Sequence, residues 1–169
     1  MPILRPFRAW RSADAALAAL LVPPYDVISP AEQTAFYARH PDNLIRVELG
    51  YEYGDDNEQN NRYTRALAAM HDWRQRGVVQ RDPQPALYVY QQTFALPGRA
   101  ERLVRTGFFS RLRLAPWGQG ILPHEKTFPG AKADRLALLQ VTALQTGAIF
   151  TLFRDPDRAV MAALHPVVA

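Results

Sequence analysis

Between about Glu58 and Arg76 the apolar residues Tyr63, Leu67, Met70 and Trp73 recur at intervals of three and four, and Gly77 follows. That spacing puts one apolar stripe on one face of a helix, with a glycine placed to end it. Soon afterwards Leu87-Tyr88-Val89-Tyr90-Gln91-Gln92-Thr93-Phe94 is rich in aromatic and β-branched residues and favours a strand. Its expected partner is 103–114, reached across a loop containing Pro97-Gly98. An amphipathic helix next to a hairpin predicts an α+β fold: a mixed, largely antiparallel sheet with flanking helices.

Other segments fit this plan. Residues 12–21 read as a short helix with Ser12 as cap, ended by Pro23-Pro24. Ser29, Pro30 and Glu32 form the pattern of a capping box with proline at the first helical position. Leu44-Ile45-Arg46-Val47-Glu48-Leu49 alternates apolar and charged residues, which predicts a strand. A helix is expected from about Ala131 to Leu144, a short strand at Ile149–Phe153, and a last helix starting at Asp155-Pro156 and ending near His165-Pro166. A chain of 169 residues suits one domain spanning 1–169. The ending at Val167-Val168-Ala169 suggests an N-terminal part of a longer architecture.

The chain has no cysteine, which excludes disulfides, zinc–thiolate sites, iron–sulfur clusters and a cysteine nucleophile. The N-terminal residues lack a sustained apolar stretch, and no window approaches the length of a membrane span. A soluble, cytoplasmic protein without membrane contact is expected. The formal charge is +4. Arg99, Arg102, Arg105, Arg111 and Arg113, offset by Glu101, account for an equal excess. On one extended strand Arg105, Arg111 and Arg113 would share a face, either to meet phosphates or simply to face water. Glu48, Glu52, Asp55, Asp56 and Glu58 occur with no base among them and read as a solvated acidic loop.

Chemistry concentrates in Leu122–Arg135, where the only two lysines, Lys126 and Lys132, stand with His124, Glu125 and Thr127. A carboxylate beside an imidazole can act as general base toward a hydroxyl, while lysines neutralise phosphate oxygens. The helix expected to follow would aim its first N–H groups at the same place. The competing reading is a proline-shaped loop with charged residues facing water. Phe128 occupies the position where a zinc protease helix would have its second histidine, so no metal site is expected. A second candidate is the turn Pro23-Pro24-Tyr25-Asp26, whose prolines restrict Tyr25 and Asp26; it can equally be a rigid structural turn. Asn43 and Arg46 could add a polar pair beneath it. His40, His71 and His165 read as structural or solvated.

Several blocks, taken in order, resemble a known family. They are Pro6–Arg11, Val22–Ser29, Asn43–Arg46, Ala86–Tyr90, Leu122–Thr127 and Pro129–Arg135. They are similar in order and spacing to domain-of-unknown-function family 1015, over nearly the whole chain. That family remotely resembles the ParB/sulfiredoxin superfamily and, within it, the nucleotide-dependent free-serine kinases. The resemblance implies a small-molecule substrate with a serine-like hydroxyl and ATP or ADP with Mg as co-substrate. By motif it implies Glu125 as the catalytic base supported by His124, with Lys126, Thr127, Lys132, Arg135, Tyr25, Asp26 and Arg46 toward phosphate or substrate. The Asp-Gly-His-His-Arg run of those kinases is missing here. Where the family tends to show an Arg and then Asn-x-Ser-Pro, this chain reads Thr142–Ala148. The expectation is therefore part of a phosphotransferase, incomplete alone. Two alternatives are a non-catalytic module binding nucleic acid through the hairpin arginines, and a homodimer formed through an uncovered apolar face.

Overall fold

The computed structural model describes residues 3–13, 17–124 and 126–168. Among them the fold is α+β, and every strand pairing is antiparallel. The elements run β1 (Leu4–Arg5), β2 (Trp10–Ser12), α1 (Leu17–Leu20), a 3-10 turn (Tyr25–Val27), α2 (Pro30–Arg39), α3 (Ile45–Glu48) and α4 (Arg62–Gln75). They continue with β3 (Val79–Arg81), β4 (Tyr88–Ala95), β5 (Arg102–Phe109), β6 (Arg111–Leu112), α5 (Pro129–Thr142) and α6 (Ala159–Val168). No described helix is long and apolar enough to cross a membrane.

The chain divides into two compact units. The helical unit comprises Trp10–Asp82 and His124–Gly147. Its core is Val47 from α3, Ala66, Met70 and Trp73 from α4, and Leu138 from α5. Of the periodic stripe that predicted α4, Met70 and Trp73 enter this core, Tyr63 packs at its margin, and Ala66, outside the stripe, is buried beside them. In β2, Trp10 pairs with Arg81 and Ser12 with Val79 of β3. The hairpin unit comprises Met1–Ala9, Pro83–Pro123 and Ala148–Ala169. There Tyr88 to Ala95 pair in unbroken register with Phe109 to Arg102, and Leu4 and Arg5 pair with Leu112 and Arg111. Gly107 lies opposite Tyr90, and a Cβ at this position would come within 2.7 Å of the Tyr90 ring, so any larger residue would make that ring shift.

Several sequence expectations need correction. The alternating run at Leu44–Leu49 contains the helical turn α3, not a strand. Asn43 is the cause: its Oδ1 accepts the Ile45 N–H at 2.9 Å, and its Nδ2 donates to the Ala19 carbonyl at 2.7 Å. A side chain that takes over the local backbone bonding starts a turn, and six residues are too few for periodicity to decide. Ser12 belongs to β2 rather than capping a helix. In α4 the start moves to Arg62, because Asn57 and Asn61 fold the preceding backbone and Asn61 forms a capping box with Thr64.

Ile149–Phe153 is not a strand. Its contacts are through side chains, with Phe153 edge-on to Phe108 and Phe150 beneath Arg105. The last helix starts at Ala159, since Asp155 accepts the Val160 and Met161 N–H groups at 3.2 and 3.0 Å from outside it. β5 ends at Phe109 and Arg111 pairs with β1, so Arg105 and Arg111 do not share a strand. The acidic stretch is not simply solvated: Asp56 pairs with Arg65 at 2.7 Å, Glu52 with Arg62 at 3.1 Å and Glu48 with Arg135 at 3.0 Å. Bases reach it from the start of the adjoining α4 and, far along the sequence, from α5. The Ser29–Glu32 capping box of α2 is present as expected.

Candidate functional site

The loop before α5 belongs to the helical unit from His124 onward. Glu125, the expected catalytic base, lies outside the described residues. His124, Lys126 and Thr127 are exposed on irregular backbone. Pro129 then opens α5 at its first position, which needs no N–H. Phe128, at the cap position, offers no side-chain acceptor, and the first turn holds no acid. Lys132 follows in that turn and is exposed. Neither Lys126 nor Lys132 makes a side-chain hydrogen bond or ion pair with a described residue.

Further along α5, Asp134 and Arg135 enter a partly buried polar network. Asp134 Oδ1 accepts from the Tyr63 hydroxyl at 2.9 Å and pairs with Arg62. Its Oδ2 accepts from Arg135 Nε at 2.8 Å. Arg135 Nη1 donates to Glu48 Oε1 at 3.0 Å, and Nη2 to the Glu48 carbonyl at 2.8 Å. The face of the guanidinium lies 3.9 Å from the centre of the Tyr25 ring. Burial pushes the Tyr25 phenol above its ordinary value, with Arg135 opposing the shift. Burial likewise raises Tyr63.

The candidate residues therefore fall into three settings. Lys126, Thr127 and Lys132 flank the start of α5, together with His124. Tyr25 and Arg135 stack on each other, with exposed Asp26 beside them in the turn. Arg46 stands apart, donating to the Tyr37 and His40 carbonyls at 3.2 and 3.0 Å and lying over the Tyr37 ring. There it satisfies carbonyls left over at the end of α2. His40 Nδ1 accepts the Asp42 N–H at 3.0 Å, a local structural bond, while His71 and His165 are exposed. A cleft of about 390 Å³ lies elsewhere in this unit, lined by Leu20, His40, Asp42 and Arg76 among others, and includes no lysine-loop residue.

Sequence reasoning did not anticipate Glu48, Asp134, Arg62 and Tyr63 as parts of this network. The available signal was an acid inside the apolar run at 44–49, together with the Asp134-Arg135 pair close to the lysines. Among the described residues no group of three metal-ligating side chains gathers. Comparison with curated proteins and with solved structures gives no match. A family profile matches residues 4–169, and the chain accordingly belongs to the family described as "Protein of unknown function (DUF1015)".

Proposed function

We propose that the helical unit handles phosphate in a nucleotide-dependent phosphotransferase acting on a small molecule with a serine-like hydroxyl. One observation carries this. Lys126 and Lys132 stand exposed on either side of an α5 N-terminus that has no side-chain cap and no acid in its first turn. In the same unit Arg62, Arg65, Arg76 and Arg135 are each paired with carboxylates. Among the described residues the lysines are thus cations without a carboxylate partner, beside helix N–H groups that no side chain caps, a favourable place for an anion.

The resemblance to free-serine kinases adds the chemistry. Glu125 takes the proton from the substrate hydroxyl as that oxygen bonds to the transferred phosphorus and the bond to the nucleotide's leaving oxygen breaks. His124 supports the carboxylate, and Lys126 and Lys132 offset charge on the phosphoryl oxygens. Magnesium enters only as companion of the nucleotide. The Asp-Gly-His-His-Arg run is missing from the sequence, so the chain supplies one side of the site and is not expected to turn over alone. Incubation with free serine and Mg·ATP or Mg·ADP tests this. No phosphoserine should form, while nucleotide should raise the melting temperature in a Lys126-dependent way. Turnover by this chain, lost in Glu125→Ala, would contradict its incompleteness; absence of any nucleotide effect would contradict the phosphate role.

A second reading, nucleic-acid binding by the hairpin unit, is favoured by a separate observation. None of Arg99, Arg102, Arg105, Arg111 and Arg113 forms an ion pair with a described residue. A salt-dependent DNA shift abolished by Arg105→Ala with Arg111→Ala would support it, and binding insensitive to both would rule it out.

A further inference from the structure

We infer that Arg135 is a positioning residue that clamps the Tyr25 turn and the start of α5 onto α3, rather than a ligand for phosphate. This rests on the phosphate reading of the lysine loop and changes which residues serve it. Arg135 spends its donors on three acceptors: Asp134 Oδ2, Glu48 Oε1 and the Glu48 carbonyl. Tyr25 covers one face of the guanidinium. A fork committed on its edges and stacked on a ring has little left for an incoming anion.

The partners show what the clamp holds. Glu48 is 6% exposed, and its Oε2 has no hydrogen-bond partner among the described residues, so Arg135 is the cation that answers its charge. Asp134 is held from the other side by Tyr63 and Arg62 of α4. Tyr25 sits in a 3-10 turn closed by the Val27 N–H to the Pro24 carbonyl at 3.2 Å. Three separate sequence segments therefore meet at one side chain: the Pro-Pro-Tyr-Asp turn, the end of α3 and the Asp134-Arg135 pair. Lys132 precedes Arg135 by three residues and shares its face of the helix. Fixing Arg135 consequently fixes the turn that presents Lys132.

Glu48→Gln separates the two roles because they predict opposite signs. A phosphate-binding arginine released from its carboxylate would bind phosphate more tightly. A positioning arginine that lost its anchor would leave α5 looser and phosphate weaker. Binding of inorganic phosphate and of Mg·ATP is measured by calorimetry, and backbone hydrogen exchange over 22–29 and 129–135 in the same samples, well below the melting temperature. Glu48→Gln and Arg135→Lys should each weaken binding about 10-fold or more and speed exchange in both segments. Lysine should not rescue, since it keeps the charge without the fork. Tighter phosphate binding by Glu48→Gln, or parental binding and exchange in Arg135→Lys, would overturn the proposal. If the parent chain binds neither probe, the phosphate reading fails; unchanged exchange in both variants would then separately overturn the clamp.

Discussion

Arg135 holds Glu48 twice, through carboxylate Oε1 at 3.0 Å and through the backbone carbonyl at 2.8 Å, and so ties α5 to α3. Losing the arginine strands a buried carboxylate without its countercharge. Arg135→Ala is expected to cost about 3–5 kcal/mol in urea unfolding. The double change Glu48→Leu with Arg135→Met removes both charges and should recover most of that loss. A double variant as unstable as Arg135→Ala would mean that the arginine stabilises through something other than this pair.

Asn43 is fully buried and bonded through both ends of its amide, to the Ala19 carbonyl and to the Ile45 N–H. Asn43→Ala leaves two backbone groups without these partners, an expected loss of about 1–3 kcal/mol for each group that stays buried and unsatisfied. Asn43→Asp keeps the acceptor for Ile45 but buries a carboxylate without a countercharge and sets its second oxygen against the Ala19 carbonyl, so at neutral pH it should be less stable than alanine. Chemical denaturation of the three proteins checks the order.

Acid should destabilise the helical unit through Asp42 and Asp56. Hydrogen bonds from Arg76 hold the Asp42 carboxyl below its ordinary 3.8, and Arg65 does the same for Asp56. Folded pKa values lie under unfolded ones, so the unfolded chain binds more protons near that pH. The stability these groups add is present above the unfolded value and is lost as pH falls through the folded one. Melting temperature should stay nearly level from about pH 7 to about pH 5 and drop below about pH 4. Asp42→Asn should flatten the drop; an unchanged acid limb would show that the Arg76 pair contributes nothing.

Local rules worked where one segment carries its own reason to fold. The Ser29–Glu32 capping box and the helix carrying Met70 and Trp73 are self-contained; the box stands as expected, and α4 forms with those two residues in the core, though it starts at Arg62. The hairpin strands pair with the expected partner for the same reason. Failure came where a distant residue decides. Nothing next to Asn43 announces that Ala19 will receive its amide, yet that bond helps turn an alternating run into a helix. Glu48 looks solvated until α5 brings Arg135 to it across the sequence. The candidate site divides along the same line: the lysine loop is one contiguous run of sequence, whereas the network beneath α5 joins four segments and is not visible in any one of them.

Calorimetric titration of the chain with inorganic phosphate and with Mg·ATP at fixed ionic strength tests the central claim most directly. Saturable binding is expected, weakened about tenfold or more, equivalent to at least about 1.4 kcal/mol, when Lys126→Ala and Lys132→Ala are combined, and unchanged by Arg113→Ala. The absence of saturable heat with either titrant, or binding by the double lysine variant as tight as the parent's, would contradict it.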